Sequence, residues 1–368
     1  MYSQNNKIIM LPYNIKLLID NIERYSKFTV MHIDINPSNI LEKYYYFSVY
    51  SSIYDRDPIF PIYMHYKLRG IIRDGDILHT HLKNYIMRYA IRRKNRNKLV
   101  ATVHNAIPEF ITYLVYSDFH RTFNLKQVKE RIKLLRHYDS IVTVSKFIRD
   151  ILREIYGFDN ITYIPNPIDI EYDVKSKVCD FDLGVYDLEP KSYIMWLGNK
   201  YMLVKNPLFF VYLAKEFPDE TFVMASEYIS YKKLIDYLGR YNINEIPSNL
   251  RVIELPSGNS RCMFLNLIKN AKFTVLTSYY EAFGYSVLES LSLNVPVIVP
   301  NIGGPNEIVT NDVGIKYDAF DRYDLFKKFE VMNKKFKKFK NLEQYVYRNY
   351  NPTKIVMRYD NIYEELLR

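Results

Sequence analysis

Cysteine is nearly absent: Cys179 and Cys262 are the two in 368 residues. Two cysteines in so long a chain make no disulfide framework and no metal-ligand spacing, so a reducing, cytoplasmic compartment is the expectation. Long apolar runs are missing as well. Stretches such as 141–144 and 293–300 fall far short of the roughly 18 residues of a membrane span, and the start MYSQNNKIIMLPY lacks the basic segment and apolar core of a secretory leader. Glycine is scarce, 11 residues in all, and none stands in MLPYNIKLL after the first apolar strand. Pro12, in that segment, has no N–H to offer a ligand.

What the chain does have is enough apolar mass, 48% of residues, to bury sizeable cores, and its length suits two domains better than one. The net charge of +10 is uneven. Residues 1–170 hold 25 Lys and Arg against 16 Asp and Glu, leaving 26 against 25 for the rest. That asymmetry suits an anionic partner, a phosphorylated acceptor or a membrane surface, although scattered lysines also simply keep a protein soluble.

Hydrophobic patterning alternates strand with helix. Strands are expected at 7–13, 28–33, 76–81, 99–104, 140–144 and 161–164, with Ser145 capping a helix that Gly157 ends. Pro165-Asn166-Pro167 stops both helix and ladder and marks a boundary. A second alternation follows: strands 193–197, 221–225, 250–255, 272–276 and 296–299, with helices 207–216, 230–239, 260–270 and 321–339. A terminal helix, 353–367, closes the chain. The expected fold is α/β, two doubly wound domains of parallel strands covered on both faces.

In such sheets ligands sit beyond the carboxyl ends of strands, in this case in a cleft expected between the domains. The residues that follow strands are His79, His81 and His104 in the first half, and Gly198, Lys200, Lys205, Glu281, Gly284, Gly303 and Gly304 in the second. Thr277–Val309 concentrates them. A helix starting near Phe283 or Gly284 presents free N–H groups and its positive end to a phosphate, and Gly284 lets backbone come close. Glu281 precedes that helix and Glu289 lies within it, so the two carboxylates suit different hydroxyl-bearing parts of one ligand. The alternative is a pair of ordinary solvated helix glutamates.

EAFGYSVLE, from Glu281 to Glu289, resembles the E-x7-E signature of retaining GT-B glycosyltransferases, family 4 in particular. DILHTH, TVHNAIP, IVTVSKFIRDIL, YIPNPID, WLGN with Lys205-Asn206-Pro207, and VTNDVGIKY are similar to that family's blocks, in its order, across residues 76–317. The resemblance implies a GT-B architecture: residues 1–168 as acceptor-side domain, 169–351 as nucleotide-sugar donor domain, and 352–368 as a helix returning to the first. It implies a catalytic set of Glu281 at the donor sugar, Lys205 at the diphosphate and His104 beside the sugar. Ala282, Phe283, Gly284 and Tyr285 meet sugar and phosphate, Glu289 holds the ribose, and Asn166 is a turn residue. Gly198 opens the phosphate loop. The family's second basic residue is an arginine directly after that glycine; here Asn199 stands there, and Lys200 is the substitute. Separately from the resemblance, Leu255, at the end of the strand 250–255, is expected to border the nucleobase.

The implied reaction is transfer from a nucleoside diphosphate sugar to a hydroxyl on a glycan, lipid or protein-linked acceptor, with retention. No Asp-x-Asp follows a strand, so metal independence is expected; His79 and His81 lack a third ligand. The glycine-free first loop keeps open a catalytically silent sugar-nucleotide module, and a GT-B epimerase is the enzyme rival. Nucleic acid is not an expected partner. Arg92–Lys98 reads as a solvated helix end, and Phe326, Phe329, Phe336 and Phe339 as core packing under a basic outer face rather than a membrane-surface helix.

Overall fold

A computed structural model describes residues 8–11, 16–28, 30–32, 72–81, 84–104, 125–198 and 202–368. Residues 34–70 and 105–123, Pro12, and Asn199 with Lys200 lie outside the described residues. The chain divides into two compact units, Met1–Pro167 with Pro352–Arg368, and Ile168–Asn351.

The first unit holds six strands, β1 (Ile8–Leu11), β2 (Val30–His32), β3 (Ile77–Thr80), β4 (Lys98–Val103), β5 (Ser140–Thr143) and β6 (Ile161–Tyr163), all parallel in the order β2-β1-β3-β4-β5-β6. Parallel strands need crossovers, and helices supply them: α1 (Lys16–Tyr25), α2 (Asn84–Arg92), α3 (Leu125–Leu135) and α4 (Lys146–Glu154) among the described residues. Ser145 caps α4 as its sequence promised, its hydroxyl accepting from the Ile148 N–H, and Gly157 sits at φ +64° just beyond the helix. Arg93 ends in a turn, hydrogen-bonded to Asn97 and paired with Asp74 at 3.3 Å.

The second unit opens on a π turn, Ile170–Val174, and a 3₁₀ turn, Lys175–Lys177. Its strands are β7 (Tyr193–Trp196), β8 (Thr221–Ser226), β9 (Leu250–Glu254), β10 (Phe273–Val275), β11 (Val297–Pro300) and β12 (Gly314–Tyr317), again all parallel, in the order β12-β11-β10-β7-β8-β9. Helices α5 (Met202–Lys205), α6 (Pro207–Glu216), α7 (Tyr231–Gly239), α8 (Ser260–Asn270), α9 (Tyr285–Ser292), α10 (Gly303–Ile308), α11 (Arg322–Lys335) and α12 (Leu342–Tyr350) complete it. Read outward from β7, this is the doubly wound order whose direction reverses between β7 and β10. Phe329 of α11 is fully buried against Phe217, Phe222 and Phe273, with ring centroids 4.4, 5.6 and 5.4 Å away. Phe326, Phe336 and Phe339 pack against the same core, while Lys334, Lys335, Lys337 and Lys338 are exposed.

One expectation fails. Cys179 and Cys262 form a disulfide, although 83 residues separate them. The fold sets the chain just after the 3₁₀ turn beside the first turn of α8 and brings the two Cα atoms within 5.3 Å, inside bridging range. Cysteine usage therefore no longer argues for a reducing compartment. Among the described residues no helix is long and apolar enough to cross a membrane.

The last helix, α13 (Pro352–Leu367), belongs to the first unit, where Asp360 accepts from the Lys27 N–H at 3.0 Å. Its Tyr363 hydroxyl reaches His79 Nδ1 at 2.8 Å, and Thr102 of β4 holds His79 Nε2 at 2.7 Å. His79 is thus a fully buried rivet between two strands and the terminal helix. Burial holds His79 and His104 well below the ordinary imidazole value of 6.5, neighbouring His81 adding to it. The folded state prefers both rings neutral, so the unfolded chain takes up protons first as pH drops below about 6.5, and stability falls with acidification. His79→Gln is expected to be less stable at pH 7.5 yet to lose about 1 kcal/mol less than the wild type between pH 6.5 and 5.5. Denaturant midpoints at these pH values check it; an unchanged pH slope would place the acid sensitivity elsewhere.

Candidate functional site

The reversal between β7 and β10 is where an open parallel sheet leaves a crevice beyond its strand ends. Gly198 and α5 follow β7; Thr277–Glu281 follows β10. Trp196 Nε1 donates to Thr277 Oγ1 at 2.8 Å, Thr277 Oγ1 donates to the Lys205 carbonyl at 2.8 Å, and the Tyr279 N–H donates to the Val204 carbonyl at 2.9 Å. These bonds tie the two post-strand segments together. A Cβ on Gly198 would run into the Trp196 ring, so only glycine fits there.

Three side chains converge on this frame. The Lys205 ammonium donates to Glu281 Oε1 in a close ion pair, and Ser278 Oγ donates to the same oxygen at 3.0 Å. Lys205 and Glu281 are only 13% and 18% exposed, so both charges are largely withdrawn from water. Behind them the Gly304 N–H donates to the Glu281 carbonyl at 2.9 Å. A Cβ at Gly303 would strike the Glu281 carbonyl oxygen, and one at Gly304 the Phe283 backbone. The glycine pair lets the 281–283 backbone rest on the start of α10.

Gly284 caps α9 at φ +111°, a left-handed conformation that glycine adopts without strain. Phe283 is buried, edge-on to Tyr285 and Tyr350 at 5.2 and 6.2 Å. Further into α9, Glu289 is 5% exposed, and its Oε1 meets Arg261 Nη1 of α8 at 2.8 Å. Burial raises the Glu289 carboxyl above 4.5; Arg261 pulls it down and Asp173 pushes it up. Leu255, just past β9, is buried, its N–H donating to the Ser226 carbonyl at 3.1 Å. Asn206, left-handed at the start of α6, is fully buried with neither amide atom partnered.

In the first unit His81 Nδ1 lies 2.9 Å from His104 Nε2, and the rings of His79, His81 and His104 stack in sequence at 4.7 and 5.2 Å. Among the described residues no group of three or more His, Cys, Asp or Glu side chains gathers as ligands for a metal ion.

Residues 29–172 match the model of Glycosyltransferase Family 4, and residues 253–348 that of Glycosyl transferases group 1. The chain belongs to the GT-B glycosyltransferase superfamily. It is similar to an Escherichia coli UDP-Gal:α-D-GlcNAc-diphosphoundecaprenol α-1,3-galactosyltransferase, 27% identical over 67% of this chain and 62% of that protein. It is also similar to a Mycobacterium tuberculosis glycogen synthase, 26% identical over 48% of this chain and 41% of that one. The matched part thus spans less than two thirds of these relatives. Among solved structures, sucrose-phosphate synthase from Thermosynechococcus elongatus superposes with a TM-score of 0.75 at 14% identity, covering 98% of this chain and 99% of the other. HepE from Anabaena, in complex with UDP-glucose, does so with 0.69 at 14% identity, covering 98% and 99%. Both likenesses show the shared GT-B fold.

Within this GT-B chain the expected residues separate into groups. Lys205 and Glu281 come together at the sheet's reversal point, and Gly198 and the 282–285 backbone frame them. Phe283 and Leu255 are buried side chains, so a ligand at those positions would meet backbone rather than side chain. Glu289 is buried and paired rather than solvated, which removes the reading of an ordinary surface glutamate. His79 and Gly303 serve packing; Asn166 is 2% exposed at the boundary. Sequence reasoning missed Ser278 and Arg261. Ser278 had a local signal, three residues before Glu281 in a post-strand loop; Arg261 had only its place in the first turn of a helix.

Proposed function

We propose that the chain transfers a sugar from a UDP-linked donor to a hydroxyl acceptor, retaining the anomeric configuration and requiring no metal ion. The observation that carries this reading is the Lys205–Glu281–Ser278 cluster at the reversal point of the second sheet. One cation and one carboxylate beyond the strand ends at this point support a phosphate-bound sugar as the ligand. UDP is favoured because UDP-galactose is named in the E. coli relative and UDP-glucose is bound to HepE.

Departure of a nucleoside diphosphate puts negative charge on phosphate while the anomeric carbon turns cationic. Lys205 exchanges part of its pairing with Glu281 for the diphosphate, and the N–H groups at the start of α9 add donors from backbone. Glu281, released from full neutralisation, faces the sugar's developing positive charge. The acceptor hydroxyl attacks from the face the phosphate leaves: the carbon–phosphate oxygen bond breaks, the new glycosidic bond forms, and the departing phosphate oxygen takes the hydroxyl proton. Glu289 accepts from the ribose hydroxyls. The family resemblance assigns His104 to the donor sugar, so His104→Ala should slow transfer at unchanged UDP affinity.

A thermal-shift panel of nucleoside diphosphates tests the donor class, since a ligand of the folded state alone raises apparent stability. UDP is expected to give the largest shift. Lys205→Ala should weaken UDP roughly ten- to hundredfold, the loss of a charge-assisted hydrogen bond, as read by calorimetry. A panel with no shift, or wild-type UDP affinity in that variant, would refute the proposal.

A further inference from the structure

Glu289 and Arg261 raise a question that the donor-site reading leaves unanswered. A carboxylate 5% exposed inside a helix costs free energy to ionise. To accept from paired hydroxyls it must nevertheless be ionised, with its oxygens fixed. Arg261 meets both needs. Its Nη1 bonds Glu289 Oε1 at 2.8 Å, and its Nη2 donates to the Asp173 carbonyl at 3.1 Å, so the planar fork is held at two points. One of the Glu289 oxygens is engaged by the guanidinium, leaving acceptor capacity on the carboxylate for a ligand.

The support for Arg261 is itself built. Asn266, one turn further along α8, donates to the Cys179 carbonyl at 2.6 Å, and Cys262, the next residue after Arg261, is bridged to Cys179. The start of α8 and the 170–179 segment are therefore one frame, which carries both Arg261 itself and its Asp173 carbonyl anchor. The charged groups facing Glu289 are Arg261 from α8 and Asp173 from the π turn. Asp173 opposes ionisation, which makes Arg261 the favourable charge.

We infer that Arg261 is the positioning residue for Glu289, holding that carboxylate ionised and aimed so that it recognises the paired 2′- and 3′-hydroxyls of the donor's ribose. This rests on the donor-site reading above. Arg261 acts through Glu289 and needs no contact with the ligand.

The test uses calorimetry of UDP and 2′-deoxy-UDP on the full chain, wild type, Arg261→Gln, Arg261→Lys and Glu289→Gln, from pH 5.5 to 8.5. Wild type is expected to prefer UDP over its deoxy form, with UDP affinity falling as pH drops through the raised Glu289 value. Arg261→Gln should bind UDP about tenfold more weakly at pH 7.5, discriminate less against 2′-deoxy-UDP, and lose affinity at a higher pH than wild type. Removing the cation leaves burial and Asp173 to push the carboxyl further up, which sets that direction. Arg261→Lys should restore the pH profile in part, and Glu289→Gln should leave only the pH dependence of UDP's own terminal phosphate, which titrates at about pH 6. A merely structural arginine would shift affinity without moving the pH profile. Wild-type UDP affinity and pH profile in Arg261→Gln would overturn this inference alone, whereas failure of wild type to bind any nucleoside diphosphate would overturn the donor-site reading and the inference with it.

Discussion

Glu281→Ala is expected to lower the transfer rate by a factor on the order of a hundred to a thousand, the usual cost of removing one preorganised electrostatic group from a reacting centre. UDP affinity should stay the same or tighten a few-fold. The opposite signs follow from the ion pair. In the wild type Lys205 is held by Glu281, so an incoming diphosphate must compete with a carboxylate for its cation. Deleting the carboxylate frees Lys205 and removes a like-charge neighbour of the phosphate. Glu281→Gln refines the experiment: it preserves the shape and a hydrogen-bond acceptor for Ser278 while removing the charge. If charge is what the sugar requires, the glutamine variant should be nearly as slow as the alanine one. Circular dichroism establishes that each variant is folded, and single-turnover transfer separates chemistry from binding. Full activity in Glu281→Ala would remove Glu281 from the reaction.

Local features carried most of the architecture. The strand and helix alternation, Ser145 as a cap, Pro207 at the first position of α6 and the helix 260–270 all follow from patterns spanning a few residues. What stayed hidden was made by distance in sequence. The run Ile170–Lys177, past the boundary at Pro165-Asn166-Pro167, becomes a π turn followed by a 3₁₀ turn, with the Asp169 carboxylate accepting from the Tyr172 N–H and the Asp173 carboxylate from the Asp169 N–H. Helix α12 lay unmarked before Pro352, since Asn341 must take a left-handed conformation to start it. Arg261 and Glu289 stand on different helices, and no periodicity links them. In the site, the lone carboxylates were legible as candidates, while the pairing of Ser278 with Glu281 and of Arg261 with Glu289 came from the fold.

The largest stability effect is expected at the bridge between Cys179 and Cys262. A cross-link closing a loop of 83 residues restricts the unfolded chain far more than the folded one, and bridges of this kind contribute about 2–4 kcal/mol. Replacing both cysteines by serine should lower the stability of the second unit by that amount. The fold itself should survive, because the bond from Asn266 to the Cys179 carbonyl and the paired guanidinium of Arg261 still hold α8 against the 170–179 segment. UDP affinity should drop only a few-fold, and its pH profile should stay where the wild type has it, since Arg261 keeps its charge. That contrast separates the two roles: the bridge stiffens the frame, and the arginine sets the ionisation of Glu289. Denaturant titrations with and without reductant, alongside thiol titration, check the stability claim. Two titratable thiols in native protein prepared without reductant, or an unchanged midpoint on reduction, would show that the bridge does not contribute. A pH profile that moves up on reduction would instead place the bridge within the machinery that ionises Glu289, because a weakened Arg261 contact raises that carboxyl.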